Sequence, residues 1–254
     1  MADAGGLRLL VEAPSRVPAG DPLVLVVRLE NVGTEPVETS SRLNLFEGDL
    51  SLLVGARGGS ATRVTWPQPV DSGLRRATLA TGQRIESGVL VPPDALAGPG
   101  GAGAIEIVAE FTPHPAVVVA SESVAVLVDE PSGDEAVARR DLLDDPDLAR
   151  SLMAASPFAD TAALDRLATS GPPASRLLAA LATENVETVA AVATELVAEA
   201  GAVAVARWTA AVLPGGLRAG DERLATVERI LAGHADDGDG QAVAILHEIP
   251  WPPL

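Results

Sequence analysis

The sequence predicts a chain in two parts, β then α: an antiparallel β-sandwich over residues 1–129 and an all-α unit over residues 134–254. Three observations predict it. From residue 7 to about residue 128, apolar side chains recur at every second position, the spacing of strands with one buried face. Beyond "VDEPSGDEAV" they recur at the three- and four-residue spacing of helices. At 254 residues the chain is long enough for each part to bury a core of its own. The boundary falls at 129–133.

The β part reads element by element. Leu7, Leu9 and Val11 form the first strand, ended by the breaker-rich "APSRVPAGDP". Leu23, Leu25, Val27 and Leu29 form the next, which stops at Asn31 in "RLENVGTEPV". Gly33 is expected to supply the positive φ of a tight turn there, and Pro36 to start an edge strand that continues through Val37. Further strands are predicted at 50–54, 61–66, 85–91, 105–111 and 117–128, the last as one strand or two. Turn clusters "GARGGS", "PPDALAGPGGAG" and "FTPHPA" separate them. With no helical crossover between strands, the pattern is that of a sandwich and not of a parallel sheet.

The succession "VPAGDPLVLVVRLENVGTEPVE", then "LATGQRIESGVLV", then "GAIEIVAEFTP" resembles the bacterial immunoglobulin-like domains, of the adhesion-module and the intracellular proteinase-inhibitor types. In such domains a glycine, a hydrophobic run and an Asn-x-Gly-x-x-Pro-Val block span the second and third strands. A Gly-led run and a final Ile-x-Ile-x-Ala-x-Phe strand follow. The resemblance covers about half the chain and implies an immunoglobulin-like sandwich. It leaves the role open, because the fold serves spacers, binding modules and inhibitors alike.

Helices are predicted at 146–155, 160–169, 173–183, 185–200, 202–213, 221–232 and 239–248. Asp134, Asp145, Asp160, Asn185 and Asp221 are the expected N-caps, with Pro146 and Pro172 at first helical positions. Val186, Val189, Ala190, Ala193, Leu196 and Val197 mark one apolar face of the fourth helix. The segment "AVAVARWTAAVL" at 202–213 is apolar on most faces, which puts it either at the centre of the unit or under a partner. No repeated residue signature appears, so a compact bundle and a short helical-repeat array both stay open.

Composition then removes whole classes of function. The formal charge is −17 and every one of the 18 basic residues is Arg. Both halves are acidic, which argues against a nucleic-acid backbone or an anionic membrane as partner. The acidic surface keeps the chain in solution, and the sharper expectation it allows is a basic protein partner. The absence of Cys excludes disulfides, thiolate metal sites and thiol nucleophiles. The absence of Lys excludes a Schiff base and a phosphate-cradling lysine. The start, "MADAGGLRLLVEAP", has no basic region or apolar run of secretory length, and no segment approaches a membrane span, so a cytoplasmic location is expected.

The motifs that carry chemistry elsewhere do not carry it here. Gly98, Gly100 and Gly103 spell a literal G-x-G-x-x-G, but it precedes a strand, and a dinucleotide site needs it to open a helix. "ADDGDGQ" at 235–241 fails as a calcium loop because Ala235 and Leu246 fall where oxygen ligands are needed. "DLLDDPDLAR" gathers Asp141, Asp144, Asp145 and Asp147 around an expected helix start, where the dipole favours negative charge, with weak divalent-ion binding as the alternative. His114, His234 and His247 lack the i, i+4 partner of a helical zinc site. No cofactor is expected.

The function expected from these readings is a non-catalytic cytoplasmic protein–protein interaction module: an adaptor, scaffold or regulatory subunit. Two alternatives accompany it. One is a protease inhibitor using the sandwich loop "GARGGSATR"; the other is a hydrolase with a carboxylate-only site across the junction of the two parts. The candidate partner-binding residues are Trp251, Pro252, Pro253 and Leu254 in the terminal "IPWPPL". Its prolines favour a polyproline II segment that offers Trp251 to an aromatic groove, or else ties it to this chain's own surface.

Overall fold

Strand and helix fall where the two periodicities put them. The structure, a computed structural model, describes residues 6–64, 76–96, 103–114, 117–130, 136–212 and 220–234, with strands dominating the N-terminal half and helices the C-terminal half. The strands are β1 (Leu7–Glu12), β2 (Arg16–Pro18), β3 (Leu23–Asn31), β4 (Val37–Ser40), β5 (Leu50–Ala56), β6 (Ala61–Val64), β7 (Arg76–Leu79), β8 (Arg84–Val91), β9 (Gly103–His114), β10 (Val117–Ala120) and β11 (Val124–Asp129). The helices are α1 (Pro93–Leu96), α2 (Ala136–Asp144), α3 (Pro146–Ala154), α4 (Thr161–Ser170), α5 (Pro173–Ala182), α6 (Val186–Ala200), α7 (Ala202–Val212) and α8 (Glu222–Gly233).

Among the described residues the strands form a β1–β3–β8 sheet, a β2–β11–β9–β5–β6 sheet with β10 added to β9, and a β4–β7 ribbon. Alternation decides which side chains enter the core. Along β9, Ile105, Ile107, Ala109 and Phe111 are buried while Glu106, Val108 and Glu110 between them stay half-exposed. They share one hydrophobic cluster with Leu7, Leu9, Leu25, Val27 and Leu29 of the first sheet. The chain enters both sheets at once: β1 pairs with β3, whereas β2 runs parallel to the end of β11, with Arg16 Nη2 donating to Asp129 Oδ1 at 2.8 Å.

Besides α2, for which the sequence offers only the expected cap Asp134, three elements escape the sequence pattern. β2 is three residues inside a Pro-flanked turn cluster, too short to show alternation. β7 is held in the β4–β7 ribbon, and α1 is a single turn inside "PPDALAGPGGAG". The strand expected at 61–66 is observed to Val64, the rest lying outside the described residues. The segment 117–128 is two strands. Gly33 does not take a positive φ; it is needed for close approach. A Cβ there would meet Asn31 Oδ1 at 3.2 Å and Gly6 Cα at 3.2 Å. The turn is organised by Asn31, whose buried amide donates to Glu35 O and Leu79 O and accepts from Gly33 N.

In the helical half Asp145, Asp160, Asn185 and Asp221 cap α3, α4, α6 and α8 as expected, each accepting from backbone amides of the first turn. Asp134 lies outside the described residues, as does the helix expected at 239–248. Pro146 opens α3, but Pro172 is the cap of α5 and Pro173 takes its first helical position. α5 is buried on all faces from Leu177 to Ala182 and packs against α3, α4, α6 and α7. Buried Arg223 of α8 donates to Ala155 O at 2.9 Å and to Leu181 O, so one guanidinium satisfies the terminal carbonyls of two helices.

The halves meet along one face of the first sheet. α7 takes the central placement, lying on β8 and β3 and touching α3, α5, α6 and α8. Val24 stands opposite Leu90 and Val26 opposite Gly88 in the β3–β8 register, and Leu90 is buried in the helical core. Gly88 sets the spacing: a Cβ there would lie 3.0 Å from Ala211 N and 3.2 Å from Arg207 O. A second contact fixes α2. Gly20, at φ +93°, passes so close to Arg139 that a Cβ would be 2.3 Å from its carbonyl oxygen. Arg139 Nε donates to Asp21 Oδ1 at 2.8 Å, with both side chains largely buried. Further along the same sheet face, beyond the helices, the pairs become ionic: Arg28 with Glu86 and Glu12, and Arg8 with Glu30.

Candidate binding cleft

The acidic run "DLLDDPDLAR" is divided by Pro146. The residue before a proline is pushed out of the helical region, so α2 ends at Asp144 and Asp145 is extended, at φ −115° and ψ 96°. Its carboxylate then accepts from Asp147 N at 2.9 Å and Leu148 N at 3.0 Å, occupying the start of α3. Asp147 pairs with Arg150 at 3.0 Å. The expectation that the four acids gather around one helix start is therefore corrected. Asp145 and Asp147 do, but Asp141 and Asp144 belong to the last turn of α2, which holds no basic residue.

That division builds a cleft. Val137, Ala138, Asp141 and Asp144 follow helical spacing along one face of α2. Ala163, Arg166, Leu167 and Ser170 do so along one face of α4. With Asp145 and Leu148 at the start of α3 between them, they line an open cleft of about 460 Å³, within the range of small-molecule and side-chain pockets. Leu148 and Leu167 are buried at its floor, Ala138 and Ala163 half-buried, and Val137 stands 66% exposed at its lip. Asp141 and Asp144 are exposed on one rim and Arg166 on the other. Among the described residues, none of these three has an ion-pair partner.

The other sequence candidates are dispersed. Gly103 opens β9, while Gly98 and Gly100 lie outside the described residues, as do His247 and the "ADDGDGQ" stretch. His114 ends β9 and His234 caps α8 with Nδ1 2.8 Å from Ile230 O. Trp251, Pro252, Pro253 and Leu254 also lie outside the described residues. "GARGGSATR" is the β5–β6 hairpin, whose turn covers 57–60 and whose Arg63 pairs with Glu110. Where the halves meet, Asn44, Leu45, Phe46, Gly88, Val89, Leu90, Met153 and Ala211 line a space of about 10 Å³ without a carboxylate. Among the described residues no three His, Asp or Glu side chains are grouped to hold a metal ion, and no helix is long and apolar enough to cross a membrane.

Sequence reasoning found the acids of the cleft but not Val137, Ala138, Ala163, Arg166 or Leu167. The signal was there in the i, i+3, i+4 spacing of α4, but α2 had no assigned range to face it.

No protein-family model matches the chain, and no curated protein does. Among solved structures, a β-glucosidase from Listeria innocua is 10% identical over 48% of this chain and 16% of its own, with a TM-score of 0.31. The CARDB domain of a Pyrococcus furiosus protein is 14% identical over 49% of this chain and 94% of its own, with a TM-score of 0.28. The same domain in complex with di-metal ions gives 15%, 48%, 86% and 0.29. This chain thus spans about a sixth of the glucosidase and most of the CARDB domain.

Proposed function

We propose that this chain is a non-catalytic, cytoplasmic protein-interaction module, an adaptor, scaffold or regulatory subunit. In this reading an immunoglobulin-like sandwich serves as mount for a compact helical bundle that holds the partner. The observation that carries it is the open cleft between α2 and α4, apolar at the floor and charged only at the rim. Such a lining suits a docked apolar side chain more than a reaction. A carboxylate general acid is favoured by desolvation, whereas Asp141 and Asp144 stand in water and Asp145 caps α3. The sandwich is supported by the shared core of the two sheets and by the β1-to-β2 crossing from one sheet to the other.

The test is the state of the full chain in extract of its native host. The reading expects it in a defined complex by size-exclusion immunoblot, with a partner that rebinds after both are purified. Elution at the 25.8 kDa monomer position, or turnover on a panel of ester, glycoside and phosphoester substrates, sinks it. The inhibitor alternative expects instead a protease whose cleavage is blocked by the 57–60 turn.

A further inference from the structure

We infer that the α2–α4 cleft receives a basic amphipathic segment of another protein, an apolar side chain entering between Leu148 and Leu167 and Lys or Arg residues meeting Asp141 and Asp144. This names the partner chemistry of the interaction reading above and rests on it. The charge placement is what points to a cation. The carbonyl end of a helix carries partial negative charge, so carboxylates in its last turn are unfavourable to the helix. α2 nevertheless ends in Asp141 and Asp144 with no basic residue in that turn. The nearby amides at the start of α3 give them no relief, since Asp145 already accepts from Asp147 N and Leu148 N. Among the described residues no Arg pairs with either one, although Arg139 and Arg140 are their helix neighbours and Arg150 has taken Asp147. A bound cation meets both carboxylates and the helix end together.

The apolar floor requires more than a free cation. Val137, Ala138, Ala163 and Leu167 line the cleft between the carboxylates of α2 and Arg166 of α4. The occupant therefore has apolar and basic groups on one face, as an amphipathic helix or turn does, with its basic groups on the α2 side and away from Arg166. A second copy of this chain is a poor occupant at a net charge of −17. The chain's own residues 235–254 are equally poor, carrying Asp236, Asp237, Asp239 and Glu248 and no Arg.

The experiment titrates the full chain against a fluorescein-labelled Leu/Lys amphipathic peptide of about four helical turns, by anisotropy at about 0.15 M salt. A Leu/Glu peptide of the same apolar pattern, a sequence-scrambled Leu/Lys peptide and spermidine are the comparisons. D141N/D144N is expected to weaken Leu/Lys binding about tenfold. E122Q/E187Q, which removes the same charge from exposed positions elsewhere, is expected to change it less than about twofold. Ala163→Arg, which sets a cation on the floor, is expected to abolish binding, with circular dichroism confirming that each variant is folded. Equal loss in the two double variants, or equal binding of the scrambled peptide, overturns the inference in favour of diffuse attraction to an acidic surface. Failure of the Leu/Lys peptide to saturate, equal binding of Leu/Glu, or full displacement by spermidine overturns it too. A native complex that D141N/D144N leaves intact overturns the cleft while the interaction reading stands. A chain found alone in extract overturns that reading instead.

Discussion

The junction of α7 with β8 and the cleft between α2 and α4 start from similar materials and end differently. Both are apolar surfaces of small and branched residues flanked by charge. At the junction, Gly88 removes the side chain that would hold α7 away, and Leu90 passes from the sheet into the helical core. At the cleft, α2 and α4 are held apart around Leu148, and Val137 remains exposed. The charges differ in the same sense. Arg139 at the junction is buried against Asp21, whereas Asp141, two residues further along α2, faces water. One surface is finished by folding and the other is left to be finished by something else. Substitutions at the first then act on stability, and at the second on binding.

The largest contrast lies between Leu90 and Val137. Leu90→Ala removes a side chain buried where sheet and helices meet, and is expected to cost about 2–5 kcal/mol in denaturant unfolding. Val137→Ala, at the open lip, is expected to change stability by no more than about 0.5 kcal/mol. Comparable losses would mean that the cleft is closed in solution.

Gly88→Ala comes next. Its methyl group presses on backbone atoms of α7, and neither Ala211 N nor Arg207 O can rotate away as a side-chain tip could. An expected cost of about 1–3 kcal/mol follows. A neutral outcome would show that α7 rides further from β8 than the 3.0 Å approach implies.

Which parts were readable beforehand has a physical pattern. β3, β8 and β9 were legible because burial on one face imposes alternation, and α3, α4, α6 and α8 because capping demands Asp or Asn at a set place. β2 and β7 were not, since three or four residues cannot display a period and their partners lie far away in sequence. The run Leu23 to Val27 held a further clue. It is apolar at consecutive positions where α7 covers the second face, and reverts to alternation at Arg28 and Glu30 where water does. In the cleft the acids were legible as composition, but their placement was not. Pro146 reads as the start of a helix, and its second effect, ending α2 at Asp144, sets which acids sit at a favourable helix start and which at an unfavourable helix end.

Acid is expected to loosen the helical half in a smaller step. The Arg223 side chain, hydrogen-bonded to the Asp221 carboxylate, holds that group below the usual carboxylate range against the opposing effect of burial. A lowered folded-state pKa contributes stability that is present above the ordinary carboxylate value and is lost as pH falls through the folded one. Melting temperature is therefore expected to fall below about pH 4. In Asp221→Asn, which keeps the cap but does not titrate, the acid-side slope is expected to be shallower. Asp221→Ala at neutral pH is expected to lose the cap, worth about 1 kcal/mol, and in addition the carboxylate that pairs with buried Arg223. An unchanged slope in the Asn variant would place the acid sensitivity in other carboxylates.

The smallest expected effect is the most discriminating for the cleft. If Asp141 and Asp144 served the fold, replacing them would destabilise it. Their position in the last turn of α2 gives the opposite sign: neutralising each removes a repulsion from the helix end of about 0.3–1 kcal/mol at low ionic strength, less when salt screens it. D141N/D144N is thus expected to unfold at the same denaturant concentration or a slightly higher one, with the difference shrinking as salt is added. Asp145→Ala beside them is expected to lose about 1 kcal/mol, because its carboxylate caps α3. Neighbouring aspartates with opposite signs would separate acids kept for the fold from acids kept in spite of it. Equal destabilisation by all of them would return the whole run to a structural role and leave the cleft without its charge argument.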